Sequence, residues 1–277
     1  METPGSMAAQ QLNMPDCAAA CETYKELAQA LENCQFEMYI QLVYDIHTRA
    51  FTGMEALARW RHPERGTLTP ANFLTDLYSC GLVDQLDFYM LEKACRLLEA
   101  WNHSSLANLH ISCNFSRLSI SAPDFKARFD EIVNKYDFDH GNLILEITED
   151  SLANDAATAH RNIAECTACG FRAALDDMGA GFTSFLDLCD YPVDRIKIDR
   201  AIIKRCTTPR GRAVLTEITQ LAHNLGMKVL CEGVENDEER EVVEECGCDY
   251  IQGFYYSHVL PVDKAMEQYR QSRGEEK

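Results

Sequence analysis

An α/β fold, with strands and helices alternating around a barrel, is what this sequence predicts, and three observations predict it. A unit made of a helix, a glycine, a short apolar strand and a polar or acidic residue occurs four times: Gly141 leads through Leu143-Ile144-Leu145 to Glu146, Gly170 through Phe171–Leu175 to Asp176, Gly226 through Met227–Cys231 to Glu232, and Gly247 through Tyr250-Ile251 to Gln252. Glycine after a helix can take the left-handed backbone that ends it, and unbroken apolar runs suit strands buried on both faces of a parallel sheet. Two further runs, Leu109–Asn114 and Arg195–Lys197, also finish on polar residues. Together they space the strands at roughly 20 to 35 residues, the alternation of a (β/α) barrel. The length, 277 residues with 46% hydrophobic side chains, lies in the range that such barrels occupy as one domain with a sizeable core.

Taken in order, residues 1–21 show no period and are expected to be a flexible N-terminal lead. A helix is predicted from Thr23 to Asn33, followed by two strands, Phe36–Asp45 and Phe51–Arg61, joined by a short turn at Thr48–Ala50. Leu86, Met90, Ala94, Leu97 and Trp101 recur at steps of three and four, which predicts one face of a helix from Gln85 to Trp101. The domain is expected to span 22–265, and the charged tail, 266–277, to fray from about Gln268.

Lys plus Arg number 26 and Asp plus Glu 44, a net charge of −18, so the long-range field repels DNA, RNA and anionic lipid. No apolar run approaches the ~18 residues that span a bilayer, so no integral membrane segment is expected. There are 13 cysteines in no disulfide framework, and no export signal is visible, so a cytoplasmic chain with reduced thiols is expected. Cys113 and Cys231 read as small buried hydrophobes. Cys166-x-x-Cys169 lacks the second pair that a zinc site needs, and the histidines show no ligand spacing, so His62, His110 and His223 read as surface or packing residues.

In a parallel barrel the C-terminal ends of all strands open on one mouth, so residues distant in sequence meet there. The strand-end residues are Glu55, Asn114, Glu146 with Glu149 beyond it, Asp176 and Asp177, Lys197, Glu232 with Glu235 beyond it, and Gln252. Any one of these acids could equally cap a helix or pair at the rim. Seven carboxylates gathered around one ammonium raise one another's pKa unless cations lie between them, and hard oxygen ligands of this kind favour Mg²⁺ or Mn²⁺. The adjacent pair Asp176-Asp177 suits a site in which one carboxylate bridges two ions and its neighbour holds one, an arrangement fitted to phosphoryl displacement.

At this point the motifs become specific. Glu55-Ala56-Leu57, continuing Ala58-Arg59-Trp60-Arg61-His62-Pro63, resembles the signature of the EAL-domain phosphodiesterases that hydrolyse cyclic di-GMP, and further matches follow in order: Asn114-Phe115-Ser116, Glu146-Ile147-Thr148-Glu149, Asp176-Asp177-Met178-Gly179-Ala180-Gly181, Lys197-Ile198-Asp199, Glu232-Gly233-Val234-Glu235 and Gln252-Gly253-Phe254. The resemblance covers about residues 22 to 265. It implies a modified TIM (β/α)8 barrel with its first strand antiparallel to the rest, and hydrolysis of cyclic di-GMP to linear 5′-pGpG with two Mg²⁺ or Mn²⁺ ions per active site.

By the same resemblance Glu55, Asn114, Glu146 and Asp176 bind one metal, with Asp176 also reaching the second metal, whose ligand set Asp177 and Glu232 complete. Lys197 touches the attacking water. Gln41, Leu57, Arg59, Gln252 and Glu235 are implied as substrate contacts, and Glu149 as support for the loop after Asp177. A homodimer is implied too. The 20 or so lead residues are too few for a fused second catalytic module, so sensing is expected from a separate regulatory partner or from control of expression. Degenerate relatives act instead as cyclic di-GMP receptors or interaction modules; here every expected ligand is present, which favours the enzyme. The chain departs from the family pattern at Leu42, where proline is usual, and at Met178, where phenylalanine is usual.

Overall fold

The computed structural model describes residues 17–148, 156–179 and 192–274. Eight strands close a barrel in the order β1 (Phe36–Asp45), β9 (Tyr250–Gln252), β8 (Lys228–Glu232), β7 (Arg195–Ile198), β6 (Arg172–Met178), β5 (Leu143–Thr148), β4 (His110–Phe115) and β2 (Ala50–His62), which returns to β1. All neighbours from β2 to β9 are parallel, whereas β1 is antiparallel to both of its partners. The expected reversed first strand is therefore present. Two short strands, β3 (Gly66–Leu68) and β10 (Leu260–Pro261), lengthen β2 and β1 at the sheet margins.

The hairpin forms as its alternation dictates, and its register sets Gln41 directly opposite Glu55. Helix α1 (Cys17–Glu32) starts ahead of the predicted Thr23. It closes on the barrel through the fully buried Leu27 and Ala30. After α2 (Leu74–Cys80), helix α3 (Val83–Trp101) buries Leu86, Met90, Ala94 and Trp101, four of the residues that predicted it.

The chain continues through α4 (Arg117–Ile120), α5 (Phe125–Val133), α6 (Ala156–Ala168), α7 (Arg200–Ile203), α8 (Pro209–Asn224) and α9 (Asp237–Glu245). Three of the four repeat glycines take positive φ: Gly170, Gly226 and Gly247 at +93°, +80° and +79°. Gly141 does not follow the pattern. It lies inside a 3₁₀ turn, His140–Asn142, held by its N–H donating to Asp139 Oδ1 at 2.9 Å, so no helix ends there.

The expected fraying from Gln268 is also corrected. Helix α10 (Val262–Ser272) buries Ala265, Met266 and Tyr269 against the barrel, an apolar face at helical spacing that the charged residues between them mask in the sequence. Cys113, Cys166 and Cys231 are buried, Cys169 is exposed, and the described thiols are free. His62 pairs with Glu26, His223 with Asp249, and His110 packs between Asn142 and Arg172, where burial pushes its pKa down to about 4. Among the described residues no helix is long and apolar enough to cross a membrane.

Candidate active site

The site is built around Lys197. Its side chain lies on β7, fully buried, with Nζ 2.7 Å from Glu232 Oε1, 3.0 Å from Glu146 Oε2, 3.2 Å from Asp176 Oδ1 and 3.3 Å from Glu55 Oε2. Four strands thus deliver one carboxylate each to a single ammonium. Glu55 is gripped from both sides: Asn114 Nδ2 donates to Oε1 at 2.8 Å, and Gln252 Nε2 donates to Oε2 at 2.6 Å. The same Gln252 nitrogen donates to Gln41 Oε1 at 3.1 Å, and Gln41 Nε2 donates to the Ser257 carbonyl at 2.9 Å.

Consecutive strand residues normally face opposite sides of a sheet. Asp176 and Asp177 escape this rule because the β6–β7 register slips between Leu175 and Met178, and Asp177 takes a left-handed backbone with φ of +60°. An aspartate tolerates that conformation better than most residues. The Asp177 N–H donates back to Asp176 Oδ1 at 2.9 Å. As a result both acids reach Glu232.

The electrostatics follow from burial and crowding. Burial alone lowers the Lys197 pKa, but Glu146, Glu232, Glu55 and Asp176 outweigh it and hold the ammonium well above its ordinary value. For Glu55, burial is outweighed by Lys197 and by the amides of Gln252 and Asn114, so its carboxyl titrates low. Burial and repulsion from Glu55 carry Glu146 well above the usual carboxylate range. Burial likewise raises Glu232 to about 7, against the pull of Lys197, and burial together with Asp176 raises Asp177. One ammonium is too little positive charge for these acids.

A divalent cation corrects that imbalance, and the donor set fits one. Oxygens of Glu55, Glu146 and Asp176 lie within 4.8 Å of one another, as do those of Asp176, Asp177 and Glu232. Asp176 belongs to both groups. The donors are hard oxygens, and Gln252 Oε1, beside Glu55, is buried without a hydrogen-bond partner.

Two cavities flank Glu55 and Leu57. One, of about 330 Å³, is lined by Gln41, Asp176, Arg200, Glu232, Gln252 and Phe254 among others. The other, of about 260 Å³, is more apolar and reaches Phe73, Tyr78 and Asn114. Arg59 lines neither: its Nη1 donates to the Ala58 carbonyl at 2.8 Å and the guanidinium lies over the Tyr39 ring. Glu235 lines the larger cavity, but both its oxygens are held by cations, Oε1 by Arg200 at 2.6 Å and Oε2 by Lys204 at 2.8 Å. Glu149 lies outside the described residues.

At the departures from the family pattern, Leu42 is fully buried and its N–H meets Ser257 Oγ at 3.4 Å, a contact that proline could not make. Met178 is buried too. Sequence reasoning missed Arg200, whose only signal was its place directly after Asp199, the residue that caps α7.

A family model described as the EAL domain matches residues 24–259. The chain belongs to the EAL domain family. The bifunctional diguanylate cyclase/cyclic di-GMP phosphodiesterase MucR of Pseudomonas aeruginosa is 30% identical over 242 residues, which are 87% of this chain and 35% of that protein. The cyclic di-GMP phosphodiesterase RocR of the same species is 32% identical over 245 residues, 85% of this chain and 60% of that one. The chain therefore spans less than two thirds of these relatives' lengths. Among solved structures, that described as the PaMucR phosphodiesterase in complex with c-di-GMP superposes with a TM-score of 0.83 at 29% identity, over 88% of this chain and 99% of that one.

Proposed function

We propose that this EAL domain hydrolyses cyclic di-GMP, opening one 3′-ester to release linear 5′-pGpG. The observation that carries the reading is the double oxygen cluster, in which Asp176 serves two triads at the end of the barrel. Glu55, Asn114, Glu146 and Asp176 would hold one divalent ion, and Asp176, Asp177 and Glu232 a second, with Mg²⁺ or Mn²⁺ suited to both. When bound, such a pair supplies Lewis acidity that lowers the pKa of a coordinated water and offsets charge on the phosphoryl oxygens.

The chain's own residues do the rest. Lys197 Nζ keeps four carboxylates in fixed relation and places a positive charge under the cavity, where it orients the attacking water and balances charge as the water loses its proton. Glu232 and Asp177, which would hold the second ion beside that water, are the other two residues the reading makes catalytic. Gln41, Leu57 and Gln252 line the larger cavity and would seat a guanine base; Arg59, which lines neither cavity, would have to leave the Ala58 carbonyl and the Tyr39 ring to reach a phosphate oxygen. Glu149 would support the loop after Asp177. Homodimerisation belongs to the same reading and rests on the family resemblance; control would come from a separate chain or from expression.

Incubation of the purified protein with cyclic di-GMP and Mg²⁺ or Mn²⁺, followed by chromatography, tests it. The expected product is pGpG. Tight binding of cyclic di-GMP without product would replace the enzyme with a receptor.

A further inference from the structure

The larger cavity presents a charge problem that the metal ligands do not solve. Its described lining carries the carboxylates Glu55, Asp176, Glu232 and Glu235, and a single cation, Arg200. A cyclic dinucleotide brings two phosphodiesters. If one is drawn to the cations that the double oxygen cluster would hold, the other meets a strongly negative wall unless a cation stands beside it.

Arg200 is built into that place rather than left to wander. Its stem runs against the backbone at Gly233, the residue after Glu232, where φ is +68° and an added Cβ would lie 2.5 Å from Arg200 Cγ and 2.9 Å from its Cβ and Cδ. A side chain at 233 would therefore drive the arginine out. At the far end, Nη2 is held by Glu235 Oε1 at 2.6 Å. Glu235 is itself fixed: Lys204 takes Oε2 at 2.8 Å and bridges to Glu239 Oε1 at 3.0 Å, and the Glu235 N–H donates to Glu239 Oε2 at 2.8 Å. The Arg200 side chain remains about half exposed, and its guanidinium carries five N–H donors, of which Glu235 Oε1 accepts at Nη2. A guanidinium held in place by a carboxylate loses less freedom when it binds an anion.

We propose that Arg200 binds the phosphodiester of the substrate that is not cleaved, and that Glu235 is a positioning residue for Arg200. This inference rests on the cyclic dinucleotide reading above.

The test compares cyclic di-GMP, which has two phosphodiesters, with bis(p-nitrophenyl) phosphate, which has one, using wild type, Arg200→Ala, Arg200→Lys and Glu235→Gln. Loss of one charge-assisted contact should raise KM for cyclic di-GMP by about 10- to 100-fold in Arg200→Ala, with kcat within about threefold. Hydrolysis of bis(p-nitrophenyl) phosphate should be unchanged. Arg200→Lys should recover part of the loss, and Glu235→Gln should raise KM less than Arg200→Ala does. Calorimetry with cyclic di-GMP in EDTA supplies a readout without turnover, and Arg200→Ala should bind more weakly there too.

Equal losses on both substrates, or no change in KM and binding, would overturn the assignment. A wild type that binds cyclic di-GMP but does not cleave it, with binding weakened by Arg200→Ala, would keep the assignment and remove the enzyme. A wild type that does not bind cyclic di-GMP would remove both.

Discussion

Lys197→Met is the most informative single change, because it removes what is, among the described residues, the one ammonium shared by four carboxylates while keeping most of the side chain's volume. With all four acids ionised, the wild-type cluster carries −4 + 1 = −3, from contacts of 2.7, 3.0, 3.2 and 3.3 Å. The variant would carry −4 with no cation to share. Removing one partner of a buried ion pair costs about 3–5 kcal/mol, which for a domain of this size is a fall in Tm of roughly 6–20 °C.

The pH dependence gives the prediction its sign. The Lys197 pKa is raised in the folded state, so the stability it contributes is fully present below the ordinary lysine value of 10.5. Glu232 is raised from 4.5 to about 7, so it binds a proton more tightly folded than unfolded, and stability falls as pH rises through that window. Without Lys197 the carboxyls rise further, so the deficit of the variant should be small near pH 5 and full at pH 8. Urea titrations of both proteins in EDTA at the two pH values measure it. Added Mn²⁺ should stabilise the variant more than the wild type. A deficit under about 1 kcal/mol at pH 8, or one of equal size at both pH values, would show that the ammonium does not hold this cluster together.

Two further outcomes are expected. Asp176→Asn should weaken both ion sites, whereas Asp177→Asn should spare the Glu55–Glu146 side, so a calorimetric Mn²⁺ titration should lose both binding events in the first and one in the second; turnover of cyclic di-GMP by Asp176→Asn should fall by at least about 100-fold. Gly253→Ala should destabilise the domain by about 1–3 kcal/mol, read as a lower melting temperature, because a Cβ there would enter the backbone of Val234 and push apart the segments that carry Glu232 and Gln252.

The barrel could be read from the chain because its strands are buried on both faces and end on polar residues, so periodicity, glycine and strand-end chemistry all carried the same message. The hairpin strand Phe36–Asp45 is found with those limits. The converging acids were legible for the same reason, since parallel topology alone sends Glu146, Asp176, Glu232 and Gln252 to one mouth. The slip that turns Asp177 to the side of Asp176 was not legible, because a bulge depends on a neighbour's register and leaves no periodic trace. Arg200 was missed because its setting is a bare backbone at Gly233, more than thirty positions away. Gly141 misled because a glycine before a strand can also sit in a 3₁₀ turn, where its φ is ordinary.

Helix α10 has a consequence for how the site comes into being. Gln268 on that helix donates to the Tyr256 carbonyl at 2.7 Å and meets Ser257 Oγ at 3.2 Å. Ser257 in turn receives Gln41, which leads through Gln252 to Glu55. A nascent polypeptide that has left the ribosome only as far as β9 already owns every acid in the cluster and the amides that grip Glu55, yet lacks the brace behind Gln41. That brace is completed only when Gln268, within the last dozen or so described residues, has been synthesised.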